Sequence, residues 1–154
     1  MCPELGGKPE YLDLLGYNYY FNNQCLSTPH EMLEWAPGGR HVSFVALHKL
    51  LKDAYRRYRR PIVITETSHP KEDRPLWIEM IGEETTKIMD AGLPLWGICW
   101  YPIIDRPDWN HLHYWHRSGL WHGAFISKDN PRTINAPAME ALLKVQALVQ
   151  VPSL

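Results

Sequence analysis

The segment RRPIVITETSHP, residues 59–70, runs four apolar or β-branched residues, Ile62 to Thr65, directly into a single carboxylate, Glu66. Ser68, His69 and Pro70 lie just beyond it, after Thr67. A strand of a parallel sheet, buried on both faces, reads as a continuous Ile/Val run. Its carboxyl end opens towards the place where parallel α/β barrels keep their chemistry. That pattern puts Glu66 at such an opening.

The flanks carry the other half of the unit. Upstream, HVSFVALHKLLKDAYRRY (41–58) has Val42, Val45, Ala46, Leu50 and Ala54 at helical spacing, which predicts a helix. The basic cluster Arg56, Arg57, Arg59 and Arg60 complements the dipole at its end and reads as a solvated helix terminus. Downstream, RPLWIEMIGEETTKIMDAG (74–92) sets Trp77, Ile81, Thr85 and Ile88 on one face, with Pro75 inside its start and Gly92 past its end. LPLWGICWYPI (93–103) is a further strand, and YLDLLGYNYYF from Tyr11, preceded by a Gly-Gly-Lys-Pro turn, predicts an earlier one ending near Tyr20. Residues 22–39 are polar and irregular. APAMEALLKVQALV (136–149) predicts an amphipathic helix with Pro137 tolerated in its first turn. Between the last strand and that helix, residues 105–131 are crowded with Trp, His, Asp and Pro, and a loop of this length in a compact domain is usually functional.

Strand, helix, strand, helix, strand, helix is the order of parallel β/α units. A closed eightfold barrel needs roughly 250 residues, so three units make less than half of one. The alternative is a small open α/β sheet, whose outer strands lack anything visible to cover their edges.

Composition bounds the function. The 154 residues have the length of about one domain, and 45% hydrophobic content is that of a globular chain. Sixteen basic against seventeen acidic side chains leave a net charge of −1, so no electrostatic footprint points to nucleic acid or to an anionic membrane. Cys2, Cys25 and Cys99 are odd in number and lack metal-ligand spacing, which fits reduced thiols in a cytoplasm. MCPELGGKPE has neither the basic head nor the apolar core of a signal peptide, and no run approaches the roughly 18 apolar residues of a membrane span. Seven Trp and eight Tyr supply flat apolar faces that suit core packing and sugar stacking alike. His111, His113, His116 and His122 raise the question of a metal, but a loop sequence does not establish convergent ligands, and none is assigned. Ser68 and His69 are adjacent on extended chain, so their side chains diverge and do not form a hydrolase pair. Met32, Met80 and Met139 read as core fillers.

Three strings, DLLGYNYY, PIVITET and LWGICWYPIIDRPDW, together resemble the sixth, seventh and eighth strands of clan A retaining β-glycosidases, most closely glycoside hydrolase family one, the β-glucosidase family. The resemblance covers nearly the whole chain. It implies a partial TIM (β/α)8 barrel, the last three units of a single glycosidase domain over residues 1–154, acting in carbohydrate metabolism without a cofactor. It makes Glu66 the nucleophile of a retaining hydrolysis and Tyr20 the residue that hydrogen-bonds it and helps keep it ionised. Alternation along the strand adds that Asn18 and Tyr20 share one side and Tyr19 the other. Trp100 would be the sugar platform, and Asp108 and Trp109 match the Glu-Trp pair that grips the outer sugar hydroxyls. The partners implied are a β-glycoside and an absent N-terminal barrel portion.

The departures are specific. TETS replaces Thr-Glu-Asn-Gly, Asp108 replaces a Glu, and the segment from Trp100 to Asp105 has one residue more than the usual spacing. Retaining hydrolysis uses two carboxyl groups about 5 Å apart, and the family's Asn-Glu-Pro motif, which holds the general acid, does not occur here. Glu31 and Glu34 are the nearest substitutes. The chain is expected to be the C-terminal part of an enzyme and inactive alone. On the residues by themselves, Glu66 also reads as a surface carboxylate, Asn18 and Tyr20 as interior filling and Trp100 as core. The rival function is a non-catalytic carbohydrate-binding or interaction protein on the same fold.

Overall fold

A computed structural model of the chain describes residues 4, 6–28, 30–123 and 131–149. In chain order the elements are β1 (Leu15–Asn18), β2 (Cys25–Ser27), β3 (His30–Met32), α1 (Leu47–Tyr58), β4 (Ile62–Thr67), α2 (Arg74–Asp90), β5 (Leu95–Trp100), β6 (Arg106–Pro107), β7 (Trp115–His116) and α3 (Ala136–Leu148). β1, β4 and β5 form one parallel sheet with β4 in the middle; β2–β3 and β6–β7 are separate antiparallel pairs.

The Ile/Val run of β4 is buried as its pattern demands. Ile62 and Ile64 have no exposed surface and pack with Leu15 and Tyr19 of the β1 side, Leu47 and Leu51 of α1, and Trp77, Ile81 and Ile88 of α2. Each such side chain contributes about 1.5–3 kcal/mol by leaving water. The helical face read from Trp77, Ile81, Thr85 and Ile88 is the buried face of α2, and the Trp77 indole N–H donates to Thr67 Oγ1 at 2.8 Å where β4 ends. α2 also buries a second face, against α3, where Ile78 meets Ala138, Ala141 and Val145. Gly82 lies at that contact: a Cβ there would be 2.5 Å from Val145 Cγ2. Asn135 caps α3, its side chain accepting from Ala138 N at 2.9 Å.

Several expectations are corrected. α1 begins at Leu47, not near Val42, and its buried face is Leu47 and Leu51 rather than Val45 and Leu50; Val42 is 94% exposed. The cause is Gln24, whose amide donates to Val45 O and accepts from Val45 N, both at 2.8 Å, taking the backbone groups an earlier helical turn would need. Residues 22–39 hold a hairpin, and their Leu33 and Trp35 are core. Met32 is exposed, whereas Met80 is buried and Met139 packs against the α2–α3 cluster. Arg60 is no solvated terminus: it donates to the carbonyls of Leu12 and Pro9, tying down the approach to β1. The loop predicted at 105–131 contains the β6–β7 pair, and Asp105 within it is buried, accepting from Gly119 N at 2.8 Å. Residues 124–130 of that loop lie outside the described residues, as does Cys2.

The sheet is one-sided. Gly16, Asn18 and Thr65 on the face away from the helices are exposed, and the outer edge of β5 borders a groove of about 270 Å³ lined by Ile78, Ile81, Trp96, Ile98, Leu142 and Val145. Trp96 is 68% exposed there. Cys25 and Cys99 are free, exposed thiols. Among the described residues no helix is long and apolar enough to cross a membrane, and no group of His, Cys, Asp and Glu side chains is arranged to hold a metal ion.

Candidate active site

The alternation of β1 does what it dictates. Tyr19 is buried in the core, while Asn18 and Tyr20 come out on the opposite face. On β4 the register slips by one residue, so that Tyr17 faces Ile64 but Asn18 faces Glu66. This bulge turns Thr65 and Glu66 towards Asn18 and Tyr20 while Thr67 returns to the core. The backbone is locked at that level by Tyr19 N donating to Glu66 O at 2.8 Å.

Two side-chain bonds cross the strands. Tyr20 Oη donates to Glu66 Oε2 at 2.7 Å, and Thr65 Oγ1 donates to Asn18 Oδ1 at 2.8 Å. Burial, and then the bond to Glu66, push the Tyr20 phenol well above its ordinary value, so it stays a protonated donor. Tyr20 also forms part of the wall of a cleft of about 520 Å³ at the carboxyl ends of the strands, with Ser68, His69, Tyr101, Arg106 and His116. Glu66 is not among the lining side chains of the cleft; Tyr20 joins it to the wall.

The eighth-strand residues are distributed differently from the expectation. Trp100 turns to the helix layer, packing against the cluster of Ile78, Leu120 and Ala138, and its indole N–H donates to Ser118 O at 3.1 Å. Tyr101, one residue on, lines the cleft instead. The extra residue between Trp100 and Asp105 was the available signal, because one added position reverses which of two neighbours faces the site. Asp108 Oδ1 accepts from the backbone N–H groups of Asn110 and His111 at 2.8 and 2.9 Å, and Oδ2 pairs with His116 Nε2 at 2.8 Å. The bond from His116, then those from the loop backbone, hold this carboxyl far below its usual range. Asp108 thus organises its own loop. Trp109 is 75% exposed, with the Arg106 guanidinium 5.1 Å above its ring and 5.8 Å from that of Tyr101. Arg106 was not singled out by sequence, and a lone basic residue in a mixed loop gave no signal.

His69 is boxed by Phe21 at 4.5 Å and Trp35 at 5.0 Å, with Nδ1 2.9 Å from Pro70 O; burial lowers its pKa, leaving a neutral ring. Glu34 Oε1 accepts from the N–H groups of Trp35 and Ala36 at 3.1 and 3.0 Å, a turn-capping role, and neither it nor Glu31 lines the cleft.

No protein-family model and no curated protein matches the sequence. Solved structures do match it. A family 1 β-glucosidase from Thermotoga maritima superposes over 89% of the chain at 18% identity with a TM-score of 0.63, and this region is 35% of that enzyme. The fold is β-glucosidase-like. The β-glycosidase of the hyperthermophile Thermosphaera aggregans matches 91% of the chain at 20% identity and a TM-score of 0.62, again over 35% of its own length. A β-glucosidase from Exiguobacterium marinum gives 90%, 17%, 0.62 and 35%. The chain therefore spans about a third of the structures it resembles, as a three-stranded parallel piece of an α/β fold.

Proposed function

We propose that this chain supplies the last three β/α units of a retaining β-glycosidase barrel, β1, β4 and β5 standing as strands six to eight, and that Glu66 is its nucleophile. The observation that carries the reading is the 2.7 Å bond from Tyr20 Oη to Glu66 Oε2, made between the ends of two adjacent parallel strands. A carboxylate held by a phenol that cannot readily ionise is fixed in position without acquiring a competing negative neighbour. Its other oxygen is left to attack.

In this reading Glu66 displaces the leaving oxygen from the anomeric carbon, forming a glycosyl ester. A second carboxyl group, contributed by an N-terminal barrel portion, gives its proton to the departing oxygen. The same group then removes a proton from water, which attacks the anomeric carbon and releases Glu66. Asn18 and Tyr101 offer a polar and a flat apolar surface to the sugar, and Trp109 offers an exposed ring farther out. Asp108 shapes the outer loop through His116. Related folds are known with sugar-like occupants: Thermotoga maritima β-glucosidase is solved in complex with deoxynojirimycin.

The test offers the chain, with and without an N-terminal barrel portion that carries the second carboxyl, an unactivated alkyl β-glucoside for turnover and an activated aryl 2-fluoro-β-glucoside for trapping. The isolated chain should show no turnover, since loss of a general acid alone forfeits roughly a hundred- to ten-thousandfold. The reconstituted pair should trap the sugar on the peptide containing Glu66. A label elsewhere, with Glu66→Gln still active, removes the assignment. Sugar binding that no partner converts into turnover favours the non-catalytic reading.

A further inference from the structure

We propose that the sugar accepted by this cleft carries an anionic group, a carboxylate or a phosphate, and that Arg106 is the residue that selects it; this rests on the glycosidase reading above. The Arg106 guanidinium lies within cation–π distance of the rings of both Tyr101 and Trp109. Its Nη1 donates to Pro107 O at 2.9 Å, but its Nε is buried without a hydrogen-bond partner. Among the described residues no carboxylate pairs with it. The two acids nearest in sequence are already engaged: Asp105 by Gly119 N, His122 and Arg74, and Asp108 by Asn110, His111 and His116.

A guanidinium partly withdrawn from water and given neither counter-charge nor full hydrogen bonding is costly unless something else completes it. Its planar fork matches a carboxylate or phosphate, and flanking aromatic faces hold the fork ready at little entropic cost. Lys71 also lines the cleft, but the adjacent Glu72 and Asp73 outnumber it by one charge there, which leaves Arg106 as the cation without an acid beside it. Tyr101 beside it provides the ring face on which a sugar would lie.

The experiment titrates the full 154-residue chain at constant ionic strength with D-glucose, D-glucuronate, D-glucose 6-phosphate and inorganic phosphate, following tryptophan emission, to which Trp109 over Arg106 should contribute. One charged sugar should bind about tenfold to a hundredfold tighter than glucose, the gain expected of a charge-assisted bond. Comparing glucuronate with the 6-phosphate separates carboxylate from phosphate. Arg106→Gln should abolish the gain, bringing both charged sugars to the affinity that the same variant shows for glucose. If that variant does not fold, by near-ultraviolet circular dichroism, Arg106→Lys keeps the charge, loses the fork and should give up most of the gain. Equal binding of glucose and both charged sugars, or full retention of the gain by either folded variant, overturns the proposal and leaves the glycosidase reading intact. No sugar binding by the folded chain, with or without binding of inorganic phosphate, overturns the proposal too, while the glycosidase reading is decided separately by trapping in the reconstituted pair.

Discussion

At position 20 one oxygen separates positioning from packing. Tyr20→Phe keeps the ring that fills the end of β1 and removes only the donor to Glu66. Folding stability should stay within about 1 kcal/mol of the parent, because the hydroxyl is only partly buried. In the reconstituted enzyme kcat should fall by about tenfold to a hundredfold, the worth of a hydrogen bond to a charged group. Urea unfolding and steady-state kinetics measure the two, and an unchanged kcat would leave Tyr20 a packing residue. That Asn18 and Tyr20 share a face opposite Tyr19 was legible because strand alternation is a rigid constraint and carries past the strand end, and the structure adds the bond from Tyr20 to Glu66. The choice between Trp100 and Tyr101 was not. Alternation counts residues from a fixed origin, and the irregular register of β4 with β5, together with one surplus position before Asp105, moves that origin. Arg106 escaped for another reason: its importance lies in two rings and a missing partner, and neither is a property of its neighbours in sequence.

At the scale of elements, two contacts govern how the helices sit. Gly82 lets α2 and α3 approach, so Gly82→Ala should destabilise the chain by about 1–3 kcal/mol through overpacking against Val145, in spite of alanine's better helix propensity of about 1 kcal/mol. Val145→Ala in the same chain should recover most of the loss, and thermal unfolding of both single variants and the double variant measures the coupling. The second contact joins α1 to α2: Glu84 accepts from His48 N at 3.0 Å and from Lys87 Nζ at 2.7 Å, and pairs with His48 Nδ1 at 2.7 Å. Burial pushes the Glu84 carboxyl up, but these bonds outweigh it and the net direction is down. A carboxyl that titrates lower when folded stabilises fully above its ordinary value of 4.5 and loses that contribution as the pH falls through the lower folded value. The stability gap between the parent and Glu84→Gln should therefore be fully present above pH 4.5 and narrow below it; a gap that widens on acidification contradicts the clamp. The face of α2 was legible from its period because both of its buried sides are continuous helix. The face of α1 was not, since a side chain more than twenty residues upstream, Gln24, decides where the helix starts.

At the scale of the molecule, the described residues leave both outer edges of the parallel sheet unpaired and one face exposed, which was foreseeable from the count of strands. Isolated chains should associate, because an apolar edge such as that of β5, with Trp96 and Ile98, invites pairing. Light scattering at increasing concentration tests this, and a stable monomer with cooperative unfolding would argue for a self-sufficient domain. The placement of the two free thiols turns this openness into something that can be clocked. Cys99 stands on β5 with its neighbours Ile98 and Trp100 turned the other way, whereas Cys25 sits on the separate β2–β3 pair. If further strands close over this sheet, the alkylation rate of Cys99 will collapse while that of Cys25 hardly changes. On the proposed reading the chain thus carries its own paired stopwatch for completion of the sheet, readable by mass spectrometry without any sugar, substrate or turnover.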